Sequence, residues 1–122
     1  IIGLALANTK PVICVDFDGV IRCWINKKIV PGADEFIKKL YETYSVYVHS
    51  SRVLFENGTD EIDKFLKDHD IPFDGITATK IPADIYIDDR ALKFNGDWTA
   101  TFEDVGKFSV WYEKGLPEIG KG

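Results

Sequence analysis

The sequence of 122 residues predicts an α/β fold: one domain built on a parallel sheet with helices on both faces. Three observations carry this. Short apolar runs rich in β-branched residues alternate with segments whose apolar residues recur every three or four positions. The runs are continuously apolar, as strands are when helices cover a sheet on both sides. Three of them end abruptly in polar residues, at Asp16, at His49-Ser50 and at Asp88-Asp89. The length is that of one domain, and no repeat, low-complexity tract or linker divides it.

Taken in order, Pro11 opens the run Val12-Ile13-Cys14-Val15, a buried strand that stops at Asp16, and Gly19 breaks the chain after it. Val20 to Val30 holds Trp24, Ile25 and the polar turn Asn26-Lys27-Lys28, which predicts a short hairpin or flap. Pro31-Gly32 leads into a helix with the stripe Phe36, Ile37, Leu40, Tyr41 and Tyr44. Ser45-Val46-Tyr47-Val48 is the second strand. After the turn at Asn57-Gly58, Thr59 or Asp60 caps a second helix with Ile62, Phe65 and Leu66 on its apolar face, stopped by Asp70-Ile71-Pro72. A short strand is expected around Gly75-Ile76 and another at Ile85-Tyr86-Ile87. Asn95-Gly96-Asp97-Trp98 reads as a turn, a last helix starts near Thr101, and Ser109 to Tyr112 reads as a further strand. Trp98 and Trp111 are expected in the core. Residues 1–10 form an N-terminal extension and 115–122 a flexible tail.

Composition narrows the function. Against 15 Lys and Arg stand 20 Asp and Glu, a net charge of −5. A general nucleic-acid-backbone binder needs a basic surface, so nucleic acid is disfavoured as a partner without being excluded. A phosphorylated substrate stays open, because a bound divalent cation reverses the local field. Cys14 and Cys23 read as free thiols, which predicts a reducing, cytoplasmic compartment. No apolar run reaches about eighteen residues, so no membrane span is expected. Ile1 to Ala7 is short and lacks a basic leader, so it does not read as a signal peptide. There is no Met, which leaves open whether the natural chain extends upstream of Ile1. Nothing in the sequence sets the oligomeric state.

Chemistry is expected where polar residues close apolar strands, since open parallel sheets bind ligands at the carboxyl ends of their strands. Neighbouring strands lie about 5 Å apart, so Asp16, Asp18, Ser50, Lys80, Asp88 and Asp89 can converge on one pocket. Crowded carboxylates raise one another's proton affinity, and a hard divalent cation removes the conflict. Magnesium takes oxygen ligands and is commonly held by one or two carboxylates plus substrate phosphate. Asp16 then serves as nucleophile and Asp18 as general acid and base. Ser50 donates to a phosphoryl oxygen, and Lys80 adds positive charge.

Asp16-Phe17-Asp18-Gly19-Val20-Ile21 resembles the first motif of the haloacid dehalogenase-like (HAD) superfamily. His49-Ser50-Ser51-Arg52 resembles the second, Lys80 the third-motif lysine and Asp88-Asp89 the acidic fourth, all in the family's order. The run from Lys80 to Ala91 is close to small bacterial and phage members, and the likeness extends from Pro11 to Trp98. It implies a Rossmann-like three-layer sandwich and Mg2+-dependent hydrolysis of phosphate monoesters through an aspartyl-phosphate on Asp16. It implies that Asp18 is the acid/base, and that Ser50 and Lys80 stabilise the phosphoryl group. Asp16, the backbone carbonyl of Asp18, and Asp88 then bind the metal, with Asp89 beside them. Only 34 positions separate Asp16 from Ser50 and 30 separate Ser50 from Lys80, so no cap domain fits. The sheet is also expected to lack a strand after Asp89.

Each residue has a plainer reading too. Ser51 competes with Ser50. Arg52 either holds substrate or pairs with an acid, and Arg90 is expected in a structural ion pair. Trp24 either stacks on a substrate ring or packs the hairpin. His49 is expected as a packed strand residue, since no second His or Cys accompanies it at zinc spacing. A calcium loop lacks its remaining ligands, with Val at position 20. A phosphoacceptor receiver domain has its paired acids first, whereas here the pair comes last. A HAD-like binding or regulatory domain with little turnover is the alternative function.

Overall fold

The computed structural model describes residues 10–114; the expected tail, and all but the last residue of the expected N-terminal extension, lie outside them. The chain runs β1 (Val12–Asp16), α1 (Ala33–Tyr41), β2 (Ser45–His49), a 3-10 turn (Ser51–Leu54), α2 (Gly58–Asp68), β3 (Gly75–Thr77), β4 (Ile85–Ile87), α3 (Trp98–Lys107) and a second 3-10 turn (Trp111–Lys114). The four strands form one sheet in the order β3-β2-β1-β4, and every pairing is parallel. The fold is thus a small Rossmann-like α/β sandwich. Among the described residues no domain is inserted between the strands.

The apolar runs of β1 and β2 bury as their pattern demands, whereas Ile85, Tyr86 and Ile87 of β4, at the edge of the sheet, are exposed. Ile13, Cys14 and Val15 of β1 and Val46 and Val48 of β2 are buried. Ile37 of α1 and Ile62 and Leu66 of α2 join them in one core with Phe17, Ile21 and Ile71. Each such side chain contributes about 2 kcal/mol through removal from water. The crossovers through α1 and α2 each step one strand outward in the same direction. Parallel crossovers are right-handed, so both helices lie on one face. Asp34 and Glu35 open α1 and Lys38 and Lys39 close it, matching the helix dipole.

Several expectations about local structure are corrected. Phe36 stands at the solvent side of α1, 57% exposed, with the Lys39 ammonium over its ring at 4.9 Å. Helix α2 begins at Gly58 after a left-handed Asn57, with no side-chain cap, rather than at Thr59 or Asp60. Close packing sets this start: a Cβ on Gly58 would lie 1.7 Å from the Arg52 carbonyl oxygen. Helix α3 starts at Trp98 because the Asp97 carboxylate accepts from the amides of Thr99 and Ala100 at 3.0 and 3.2 Å. That is the N-cap arrangement, three residues before the expected start. Trp98 is 73% exposed and lies beside Phe94 at 5.1 Å, so it is not a core residue. Residues 109–112 form no strand. Val110 and Tyr112 are buried, Trp111 is part-exposed, and the chain there turns back over the carboxyl end of the sheet.

The expected flap is present in reduced form. After Phe17, the Phe17 carbonyl accepts from the amides of Ile21 and Arg22 at 2.9 and 3.0 Å, and the Gly19 amide donates to the Arg22 carbonyl at 2.8 Å. A single antiparallel bridge, Arg22 to Ile29, holds the returning limb.

Candidate active site

Strand register builds the site. In β1–β2 pairing Asp16 lies opposite His49, and in β1–β4 pairing Val15 lies opposite Ile87. One step further along these parallel strands, Asp88 falls level with Asp16. The carboxyl end of β1 is therefore flanked by His49 on one side and by Asp88 and Asp89 on the other. One carboxylate oxygen from each of Asp16, Asp88 and Asp89 falls within a 4.8 Å span.

Both side-chain oxygens of Asp89 are buried and have no hydrogen-bond partner among the described residues. They face Gly19, where a Cβ would sit 2.1 Å from Asp89 Oδ2. Gly19 also holds φ +87°, a backbone region that side chains disfavour. The glycine after Asp18 is thus fixed twice, by its turn and by a carboxylate packed against it. Asp16 feels the same crowding. Burial raises its proton affinity, the adjacent Asp89 carboxyl and then the charges of Asp88 and Asp89 add to this, and the Phe17 amide opposes them; the result is pushed up to about 8.

A buried carboxylate with two unpaired oxygens is costly unless a cation or the proton of a neighbouring acid meets it. The three carboxylates are all hard oxygen donors. Ligands sharing one magnesium at about 2.1 Å lie no more than about 4.2 Å apart, so small side-chain adjustments gather this set around one ion. Asp16, Asp88 and Asp89 therefore fit a divalent cation.

The other candidates divide. Ser50 is buried at the end of β2, and its Oγ accepts from the Arg52 amide at 3.1 Å, leaving its hydrogen to donate. Ser50, Ser51, His49, Trp24 and Asp18 line a cleft of about 300 Å3 together with the three acids, Arg90 and Tyr112. His49 sits at its edge, with Nδ1 3.7 Å from Asp16 Oδ1. Lys80 is not among the lining residues; it approaches from outside, its Nζ 3.7 Å from Asp88 Oδ2. Trp24 is half exposed, with Lys27 Nζ at 4.1 Å over its ring and the Arg52 guanidinium at 5.6 Å.

Asp18 stands apart from the acidic cluster. Its Oδ2 accepts from Arg52 Nε at 2.6 Å, and its Oδ1 lies 3.5 Å from Arg22 Nη2. Arg52 is thus an ion-pair partner in this arrangement. Arg90 makes no ion pair among the described residues. Its Nη2 donates to the Tyr112 hydroxyl at 3.0 Å, which corrects the expected pairing with an acid.

Three residues of the site were not legible from the sequence. Arg22 pairs with Asp18, Glu61 meets Arg22 and Arg52, and Tyr112 closes the cleft beside Asp89. Burial raises the Tyr112 phenol, and the nearby Asp89 carboxylate adds to this. Its neighbour Trp111 anchors the segment by donating from Nε1 to the Gly19 carbonyl at 2.7 Å. Only Arg22 left a signal, a charge inside the otherwise apolar stretch Val20 to Cys23.

No protein-family model matches the sequence, and neither does any curated protein. A solved structure of a conserved protein from Bacteroides thetaiotaomicron is similar in fold, with a TM-score of 0.59 over 89% of this chain and 100% of that one, at 23% identity. The helices of this chain are too short and polar to cross a membrane, for the described residues.

Proposed function

We propose that this protein is a magnesium-dependent phosphomonoesterase of the HAD type, without a cap domain. One observation carries the reading: Asp16, Asp88 and Asp89 converge at the strand ends, with two buried, unpaired oxygens on Asp89. Ser50 and Lys80 stand beside them. Magnesium, when bound by these acids, would neutralise their charge and offset charge on the phosphoryl oxygens.

Asp16 attacks phosphorus, forming a carboxyl-oxygen–phosphorus bond as the ester oxygen leaves and takes a proton from Asp18. Water then attacks phosphorus, gives its proton to Asp18, and frees Asp16 and inorganic phosphate. The Ser50 hydroxyl donates to a phosphoryl oxygen, Lys80 holds Asp88, and Ser51, Arg52 and Trp24 meet the substrate at the cleft mouth. In the resting arrangement Arg52 occupies Asp18 Oδ2, so Arg52 must release that oxygen before Asp18 carries a proton. The incoming phosphoryl group offers Arg52 its replacement partner. The substrate is a phosphorylated small molecule or a larger phosphoester; the acidic surface disfavours nucleic acid. The buried free thiols of Cys14 and Cys23 suit a reducing, cytoplasmic setting.

The occupied Asp18 also favours a second reading, a HAD-like binding or regulatory domain with little turnover. Hydrolysis of an aryl phosphate with and without magnesium separates the two. Turnover that needs the metal and disappears in Asp16→Asn is expected; activity surviving in that variant would remove Asp16 as nucleophile.

A further inference from the structure

The geometry points to Arg22 and Glu61 as positioning residues that hold Asp18 and Arg52 in register for phosphoryl transfer, an inference that rests on the phosphohydrolase reading. Neither residue lines the cleft.

Four charged side chains close a ring. Asp18 gives one oxygen to each arginine: Oδ2 to Arg52 Nε at 2.6 Å and Oδ1 to Arg22 Nη2 at 3.5 Å. Glu61 Oε2 meets both arginines from the far side, at 2.8 Å from Arg22 Nη1 and 3.8 Å from Arg52 Nη1. Two positive and two negative charges balance, so the ring is neutral beside the acidic cluster of Asp16, Asp88 and Asp89. It ties together the loop after β1, the turn after β2 and the first turn of α2.

Arg22 is the fixed member. It is 6% exposed, and its guanidinium lies over the rings of Phe17 at 4.8 Å and Phe65 at 5.7 Å. Its Nε is buried with no partner among the described residues. A charge in such surroundings is tolerated only with paired acids. Reaching Glu61 and Asp18 at once takes the two separate nitrogens of a planar fork, which lysine lacks. Arg52, 24% exposed in its side chain, is the member free to turn toward a ligand. When it does, Arg22 still holds Asp18 Oδ1, and Asp18 stays in place for the leaving oxygen.

The test compares an alkyl phosphate, whose leaving group needs a proton, with 4-nitrophenyl phosphate, whose leaving group needs little help. A misplaced acid of about 1 Å can cost about 100-fold. Glu61→Gln is therefore expected to lower kcat/KM on the alkyl ester by about 10- to 100-fold and on the activated ester by less than about threefold. Arg22→Lys should show the same split despite keeping its charge. Glu61 is half exposed, so Glu61→Gln decides the matter should Arg22→Lys fail to fold. Wild-type rates on the alkyl ester, or equal losses on both esters in a protein with unchanged melting, overturn the inference alone. Wild-type protein without magnesium-dependent turnover overturns both the inference and the function beneath it.

Discussion

Asp16→Asn tests the acidic cluster through stability, with no appeal to turnover. In the metal-free protein, burial and the neighbouring Asp89 carboxyl push Asp16 from 3.8 to about 8. The unfolded chain gives up this proton near 3.8, and the folded chain keeps it until about 8. Between those values the folded state binds the extra proton, so stability is full below 3.8 and is lost as pH rises through about 8. At about 1.4 kcal/mol per tenfold change in proton affinity, the ceiling on this loss is about 6 kcal/mol. Asparagine mimics the protonated acid and can donate to the unpaired oxygens of Asp89. The repulsion between Asp88 and Asp89 survives the substitution, so the expected gain at pH 8.5 is about 2–3 kcal/mol. For a domain this size that is a rise in melting temperature of about 8–12 °C. At pH 4 the gain should shrink below about 1 kcal/mol, because folded wild-type Asp16 then holds its proton and the unfolded chain has given up only about half of it. Thermal unfolding followed by circular dichroism in excess chelator, at both pH values, makes the measurement. An Asp16→Asn protein that melts at or below the wild-type temperature at pH 8.5, or a gain that ignores pH, would refute the electrostatic account.

Magnesium should raise the wild-type melting temperature more at pH 8.5 than at pH 5, since at the lower pH the cation must displace the Asp16 proton; equal shifts at both would place the ion elsewhere. Chelation should stop hydrolysis reversibly, with calcium a poor substitute because of its looser coordination; unchanged rates in excess chelator would end the metal's role. Gly58→Ala should lower the urea midpoint by the equivalent of about 2 kcal/mol or more, because the new methyl meets the Arg52 carbonyl and either that turn or the start of α2 must move. Trp98→Asp should change stability by less than about 0.5 kcal/mol, as expected for an exposed side chain, and a large loss would mean the indole is covered.

Several features of the molecule were fixed by local chemistry and so were readable in one dimension. Val12 to Val15 and Val46 to Val48 are apolar runs rich in β-branched residues, which favours strand where they are buried. The stripe Ile62, Phe65 and Leu66 is helical by its spacing alone. The strand ends at Asp16, Ser50 and Asp88 followed from where polarity begins, and their gathering followed from the rule that parallel strands share a carboxyl edge. Helix α3 shows the limit of this reading. Its start depended on the Asp97 side chain reaching two amides, a choice of rotamer that spacing does not express.

Tertiary structure decided the rest. Asp18 and Asp16 are two residues apart, and nothing in the sequence separates their surroundings. Folding places Asp16 against Asp88 and Asp89, while Asp18 turns to two arginines, one of them 34 positions away. Glu61 and Tyr112 gained their places from elements distant in the chain. Pattern and propensity act over a few residues, and they set which segments become strands and helices. Charge pairing acts through space, and it was the packing of α2 and of residues 110–112 on the sheet's carboxyl edge that chose each acid's partner.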